Sequence, residues 1–191
     1  MSALLLGLVL FIGIHSVRVF ADGWRSAQVA RLGPNGWKGL YSLVSIVGFA
    51  LIVWGYGLAR QAPVDLWAPP VWTRHLASLL TLVAFVLLAA AYVPGTRIKA
   101  AIRHPMTVAV KTWALAHLLA NGRLADVVLF GVFLVWAVLV FRAARGRDRA
   151  AAAPPPAVRP GRDVVAVLVG LAAWAAFAFH LHAALIGVRP F

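Results

Sequence analysis

The chain contains no cysteine and no glutamate, and it sets only five aspartates against 18 lysines and arginines in 191 residues. Without cysteine there is no disulfide, no iron–sulfur cluster and no thiolate zinc site. The five acids, Asp22, Asp65, Asp126, Asp148 and Asp163, all fall near expected loops or helix ends. No pair of carboxylates lies inside an apolar run, so neither a carboxylate-bridged metal centre nor a carboxylate proton relay is expected. A glycine-rich phosphate loop and an ordered Ser–His–Asp set are missing too. The formal charge of +13 does not imply nucleic acid as a partner, because aromatic residues are not interleaved with the basic ones. The charges occupy the gaps between apolar runs instead, as in a membrane protein.

What fills the chain is hydrocarbon. Hydrophobic residues make up 63% of it, and the mean hydropathy is +0.89. A soluble domain could not bury that much apolar surface, whereas a helix bundle in a bilayer exposes it to lipid. Apolar runs at 2–20, 39–58, 72–92, 105–120, 124–142 and 164–186 compare with about 20 residues needed to cross. The expected fold is therefore all-α, a single-domain polytopic transmembrane bundle of about six spans. The first run reads as a retained helix and not as a signal peptide. No basic region precedes it, and Ser16-Val17-Arg18 is a poor cleavage site.

The 105–120 run is short and carries Lys111, so it is the segment open to a re-entrant reading. Asn121-Gly122-Arg123 joins it to the next run as a tight turn. Residues 145–162, with Pro154-Pro155-Pro156 and five arginines, read as a flexible basic cytoplasmic linker. Thirteen basic residues flank the loops after the first, third and fifth runs, and only Arg60, Arg74, Arg123 and Arg189 lie on the other side. The positive-inside rule then puts both termini outside.

Four of the six histidines, His15, His117, His180 and His182, fall inside apolar runs. Intramembrane imidazoles need partners and mark functional sites, and they are the usual ligands of a membrane b-type haem. His117 sits on one helix face with Trp113 and Asn121 at four-residue spacing. It suits either a metal ligand or an interhelical hydrogen bond. His15 has the same two readings, with Tyr41 or Ser16 as packing partners and Gly13 and Ser16 permitting close helix approach. His180 and His182, two apart, point in different directions and cannot chelate one ion together. His75, beside Arg74, reads as an exposed interface residue. His104 and Lys111, seven apart, form a cationic stripe for an anionic group such as a haem propionate, or a snorkelling interface anchor.

The string Arg103-His104-Pro105-Met106, followed by Trp113-Ala114-Leu115-Ala116-His117-Leu118-Leu119-Ala120-Asn121-Gly122, resembles the NnrU family of bacterial inner-membrane proteins. Gly13-Ile14-His15-Ser16 and the closing His182…Gly187-Val188-Arg189-Pro190 match it as well. The resemblance implies a multi-pass protein of the bacterial inner (cytoplasmic) membrane, associated with nitrite and nitric oxide reduction in denitrifying bacteria. It extends to 15-cis-zeta-carotene isomerase, which uses a b-type haem (iron) held by two histidines. Carried over, those ligands are His15 and His117, while His104 and His182 match family positions without an assigned ligand role. From helix spacing alone, His104 and Lys111 are candidate contacts to the cofactor, and Trp113, Asn121 and His182 candidate second-layer residues. Topology sets His15 and His117 about 10 Å apart in depth at ~1.5 Å rise per residue. If that gap stays open, depth favours His117 with His180 or His182.

Three functions follow from these readings. The first is a haem-dependent, isomerase-like enzyme acting on a lipid-soluble small molecule. The second is a non-catalytic accessory protein for denitrification reductases, its basic linker meeting acidic partners or anionic membrane lipid. The third is a membrane methyltransferase, because Arg-His-Pro before a hairpin also resembles the isoprenylcysteine and phospholipid methyltransferases. Those use S-adenosylmethionine and glutamates that this chain lacks.

Overall fold

A computed structural model describes residues 1–152 and 154–190. The chain is a helical bundle: α1 (Ser2–Phe20), α2 (Asp22–Gln61), α3 (Trp72–Tyr92), α4 (Arg97–Ile102), α5 (Pro105–Ala120), α6 (Leu124–Ala150) and α7 (Arg162–Ile186). A π-helical turn at Phe177–Leu181 interrupts α7. Five helices, α1, α2, α3, α6 and α7, are long and apolar enough to cross a membrane. The sixth expected span, 105–120, is the helix α5, but its 16 residues reach only about 24 Å at ~1.5 Å per residue. That is short of the ~30 Å hydrocarbon core.

The long helices pack in a row: α1 between α2 and α6, α5 between α6 and α3, and α3 between α5 and α7. One end of the row is basic, gathering the α1–α2 corner, α4 and the α6–α7 connection. The other end holds the α2–α3 loop and the α5–α6 turn. Both termini lie at that second end: Leu4 sits against Gly55 near the end of α2, and Arg60 donates to the Ile186 carbonyl.

Three local expectations are corrected. Residues 22–38, expected as a loop, are helical and belong to α2. The helix is broken only at Gly33 (φ 72°, ψ 164°), with Pro34 following. Proline there begins the second stretch, where its missing N–H has no helical partner to lose. The expected linker is helix as far as Ala150, because alanine and arginine are strong helix formers until the prolines intervene. Gly13 has nothing within 4 Å of where a Cβ would stand; close approach falls earlier on α1, where Gly7 meets Gly48 and Ile52 of α2 and Leu4 meets Gly55.

A Cβ on Gly55 would lie 2.2 Å from the Leu4 nitrogen. The α1–α2 seam is thus a small-residue contact of the kind that replaces the hydrophobic effect inside lipid. Beside it, Leu4, Leu8, Ile52, Ala114, Ala125, Leu129 and Phe130 form the buried core, which joins α1, α2, α5 and α6 at the turn end. The turn is fixed by backbone bonds: Leu66 and Trp67 both donate to the Gly122 carbonyl, and Leu124 donates to Val64.

Candidate functional site

His117 lies one turn from the end of α5. Its ring stacks on Phe130 of α6 (centroids 4.4 Å) and tilts against Trp113 (5.2 Å). Nδ1 is 2.9 Å from the Trp113 carbonyl, and Asn121 donates its side-chain amide to the His117 carbonyl at 2.8 Å. A carbonyl only accepts, so Nδ1 carries the proton and Nε2 of the neutral ring presents its lone pair. His15 repeats the arrangement, with Nδ1 2.7 Å from the Phe11 carbonyl. So does His182, with Nδ1 2.6 Å from the Val188 carbonyl. Three imidazoles are therefore oriented by backbone with Nε2 outside that bond, an orientation also common among metal-binding histidines.

The expected pair is not brought together. His15 packs edge-on to Trp136 and beside Tyr41, whereas His117 lies on Phe130. Trp136 and Phe130 are six residues apart on α6, which at ~1.5 Å rise is about 9 Å in depth. Packed rings fill the interval, His15 on Phe11, Phe11 on Phe133, Phe133 on Trp113 and Trp113 on His117, at centroid distances of 4.1, 5.9, 5.7 and 5.2 Å. His182, at the same end of the bundle as His117, is near enough to act on it electrostatically, as is Asp126. His182 packs edge-on to Phe177, across the π-helical turn. His180 and His75 are exposed.

His104 and Lys111 do share a face, and both meet α6. His104 Nε2 is 3.0 Å from Asp148, which also takes Arg103 at 3.6 Å. Lys111 Nζ stands 3.9 Å from the Phe141 ring centroid, a cation–π contact. The anion that His104 meets is thus the chain's own, carried by the helical part of the expected linker. Arg103 holds φ 65°, and His104 N–H donates to the Ile102 carbonyl at 2.8 Å. That is a γ-turn of the rare, strained kind.

Sequence reasoning missed a polar inclusion beside His117. Asp126, set aside as a helix-end acid, is only 4% exposed and accepts the hydroxyl proton of Tyr56 from α2. Arg60 and Arg123 lie within electrostatic reach of that hydroxyl. The signal was slight: one acid in the first turn of an otherwise apolar helix, and one tyrosine in mid-span. Among the described residues, no group of three or more metal-ligating side chains occurs. A protein-only metal site is therefore not built here, and histidine ligation of a preformed macrocycle needs only one or two ligands.

Helices that cross a membrane, oriented imidazoles and a buried Tyr–Asp pair define a polytopic membrane protein with a polar site near one bundle end. The sequence profile of the NnrU protein family matches residues 3–190, and the chain belongs to that family. Curated proteins and solved structures yield no significant match to it.

Proposed function

We propose that this chain is an inner-membrane haem protein whose iron is held by His117 and His182, acting on a lipid-soluble molecule that enters from the bilayer. The observation that carries the reading is the shared fixing of Nδ1 on a backbone carbonyl, which leaves Nε2 of each imidazole for a metal. Level supports the pairing: His117 is three residues from the end of α5, and His182 is four from the end of α7. A single iron between His15 and His117 does not fit, because Phe11, Phe133 and Trp113 would have to part.

Bound haem, held by His117 and His182, would supply a redox-active iron able to engage a double bond in an isoprenoid or other polyene. The chain's own residues supply the setting. Phe130 and Trp113 hold the His117 ring in place, and the Asn121 amide fixes the carbonyl end of the same helix turn. The half-buried Tyr56 hydroxyl donates to the buried Asp126 carboxylate at the same end of the bundle.

Absorption spectra of purified protein, oxidised and reduced, test the reading. A Soret band is expected in wild type, abolished in His117→Ala and weakened or shifted to five-coordinate character in His182→Ala, with His15→Ala unaffected. The reverse pattern, loss with His15→Ala and none with His182→Ala, returns the iron to the His15–His117 pair. Colourless protein from haem-replete cells removes haem altogether. It leaves the accessory role beside nitrite or nitric oxide reductases, to which the exposed Arg149 and Arg159 at the basic end of the bundle would contribute.

A further inference from the structure

At the basic end, the last turn of α1 and the broken start of α2 enclose a cleft of about 420 Å³. Arg18, Arg25 and Lys38 stand around it, with the Tyr41 and Ser42 side chains between them and His15 contributing to the wall. Ile14, Val17 and Val29 make it apolar elsewhere. Arg25 is partly neutralised by Asp22 at 3.8 Å. Arg18 and Lys38 have no acidic partner among the described residues, and both are exposed. Two tryptophans, Trp24 and Trp37, meet edge-to-face at 6.0 Å on the same broken helix. Cations with tryptophan beside an apolar wall mark the level of lipid headgroups.

We propose that this cleft is a binding site for the phosphate headgroup of an anionic membrane lipid. Arg18 and Lys38 clamp the phosphate, Tyr41 and Ser42 donate to its oxygens or to a headgroup hydroxyl, and an acyl chain descends over Ile14 and Val17. The break at Gly33 makes the site. It turns Asp22–Leu32 away from the line of the membrane-crossing stretch, so cations from both sides of the corner face one space. The haem reading is not involved, since the iron there rests on His117 and His182.

Native mass spectrometry of the full chain released from nanodiscs of mixed phosphatidylglycerol and phosphatidylcholine tests the site. Wild type is expected to retain phosphatidylglycerol selectively. With each cation near a surface contributing roughly fivefold, Arg18→Gln/Lys38→Gln weakens retention about 25-fold. Arg142→Gln/Arg147→Gln, which removes equal charge from α6, leaves it unchanged, and Arg18→Lys/Lys38→Arg preserves it. Equal loss in both glutamine pairs, or no selectivity in wild type, overturns the proposal in favour of diffuse attraction. Displacement of the lipid by inorganic phosphate alone also overturns it, by making the site one for free phosphate. Circular dichroism of each variant confirms that its helices are intact, and the single variants Arg18→Gln and Lys38→Gln, each expected to weaken retention about fivefold, read out the site even if the double variant does not fold.

Discussion

The Tyr56 hydroxyl donates to the Asp126 carboxylate across 70 residues of chain, joining the far end of α2 to the first turn of α6. A carboxylate 4% exposed in a lipid-embedded bundle is tolerable only with such a donor, because a buried unsatisfied group loses its hydration without compensation. Tyr56→Phe and Asp126→Ala are each expected to destabilise by roughly 1–3 kcal/mol. The Tyr56→Phe/Asp126→Ala double variant should cost clearly less than the two together. Thermal unfolding in detergent reads this directly, and strict additivity would mean that the two groups do not interact.

The α1–α2 seam predicts opposite outcomes for two glycines on the same pair of helices. Gly55→Ala drives a methyl group into the backbone of Leu4 and should destabilise by about 1–3 kcal/mol or more through overpacking. Gly13→Ala meets no atom within 4 Å and should be neutral or stabilising by up to ~1 kcal/mol through helix propensity. Comparable losses at both positions would show that the seam is not where the helices touch.

This contrast marks where the sequence stops being legible. The runs that became α1, α3 and α7 could be bounded within a few residues, since length and apolarity alone define a membrane helix. Which side of α1 faces α2 was not readable, because every side is apolar and no amphipathic period distinguishes lipid from protein. Hence Gly13 was chosen where Gly7 makes the contact. Residues 21–38 fell in the gap between the first two apolar runs and so counted as a loop, yet from Asp22 onward only Gly33 leaves the helix. The histidines of the site were visible as intramembrane imidazoles, and the offset between His15 and His117 followed from helix rise. The partners Tyr56 and Asp126 were not visible, since nothing local ties residues so far apart in the chain.

The charge asymmetry predicts an orientation, and the absence of cysteine makes it easy to measure. Single cysteines at Ser2 and Val188 should react with a membrane-impermeant maleimide added to intact cells or spheroplasts. One at Arg147 should react only after permeabilisation. The structure sets both termini at the same bundle end, so α5 must carry the chain through, short as it is. Labelling of Ser2→Cys without Val188→Cys would instead make α5 re-entrant.

The γ-turn at Arg103 offers a last separation of effects. Arg103→Ala and Arg103→Gly remove the same side chain, and with it the contact to Asp148 at 3.6 Å. They differ in backbone: alanine must keep φ near 65° with a Cβ, and glycine adopts that region without penalty. Arg103→Gly should therefore be the more stable of the two by about 1–2 kcal/mol, the usual cost of a left-handed conformation for a residue with a Cβ. Both keep His104 on Asp148 if the turn survives, which a His104→Ala background checks by abolishing that bond. Should alanine prove as stable as glycine, the turn relaxes at no cost, and the backbone before His104 holds no strain.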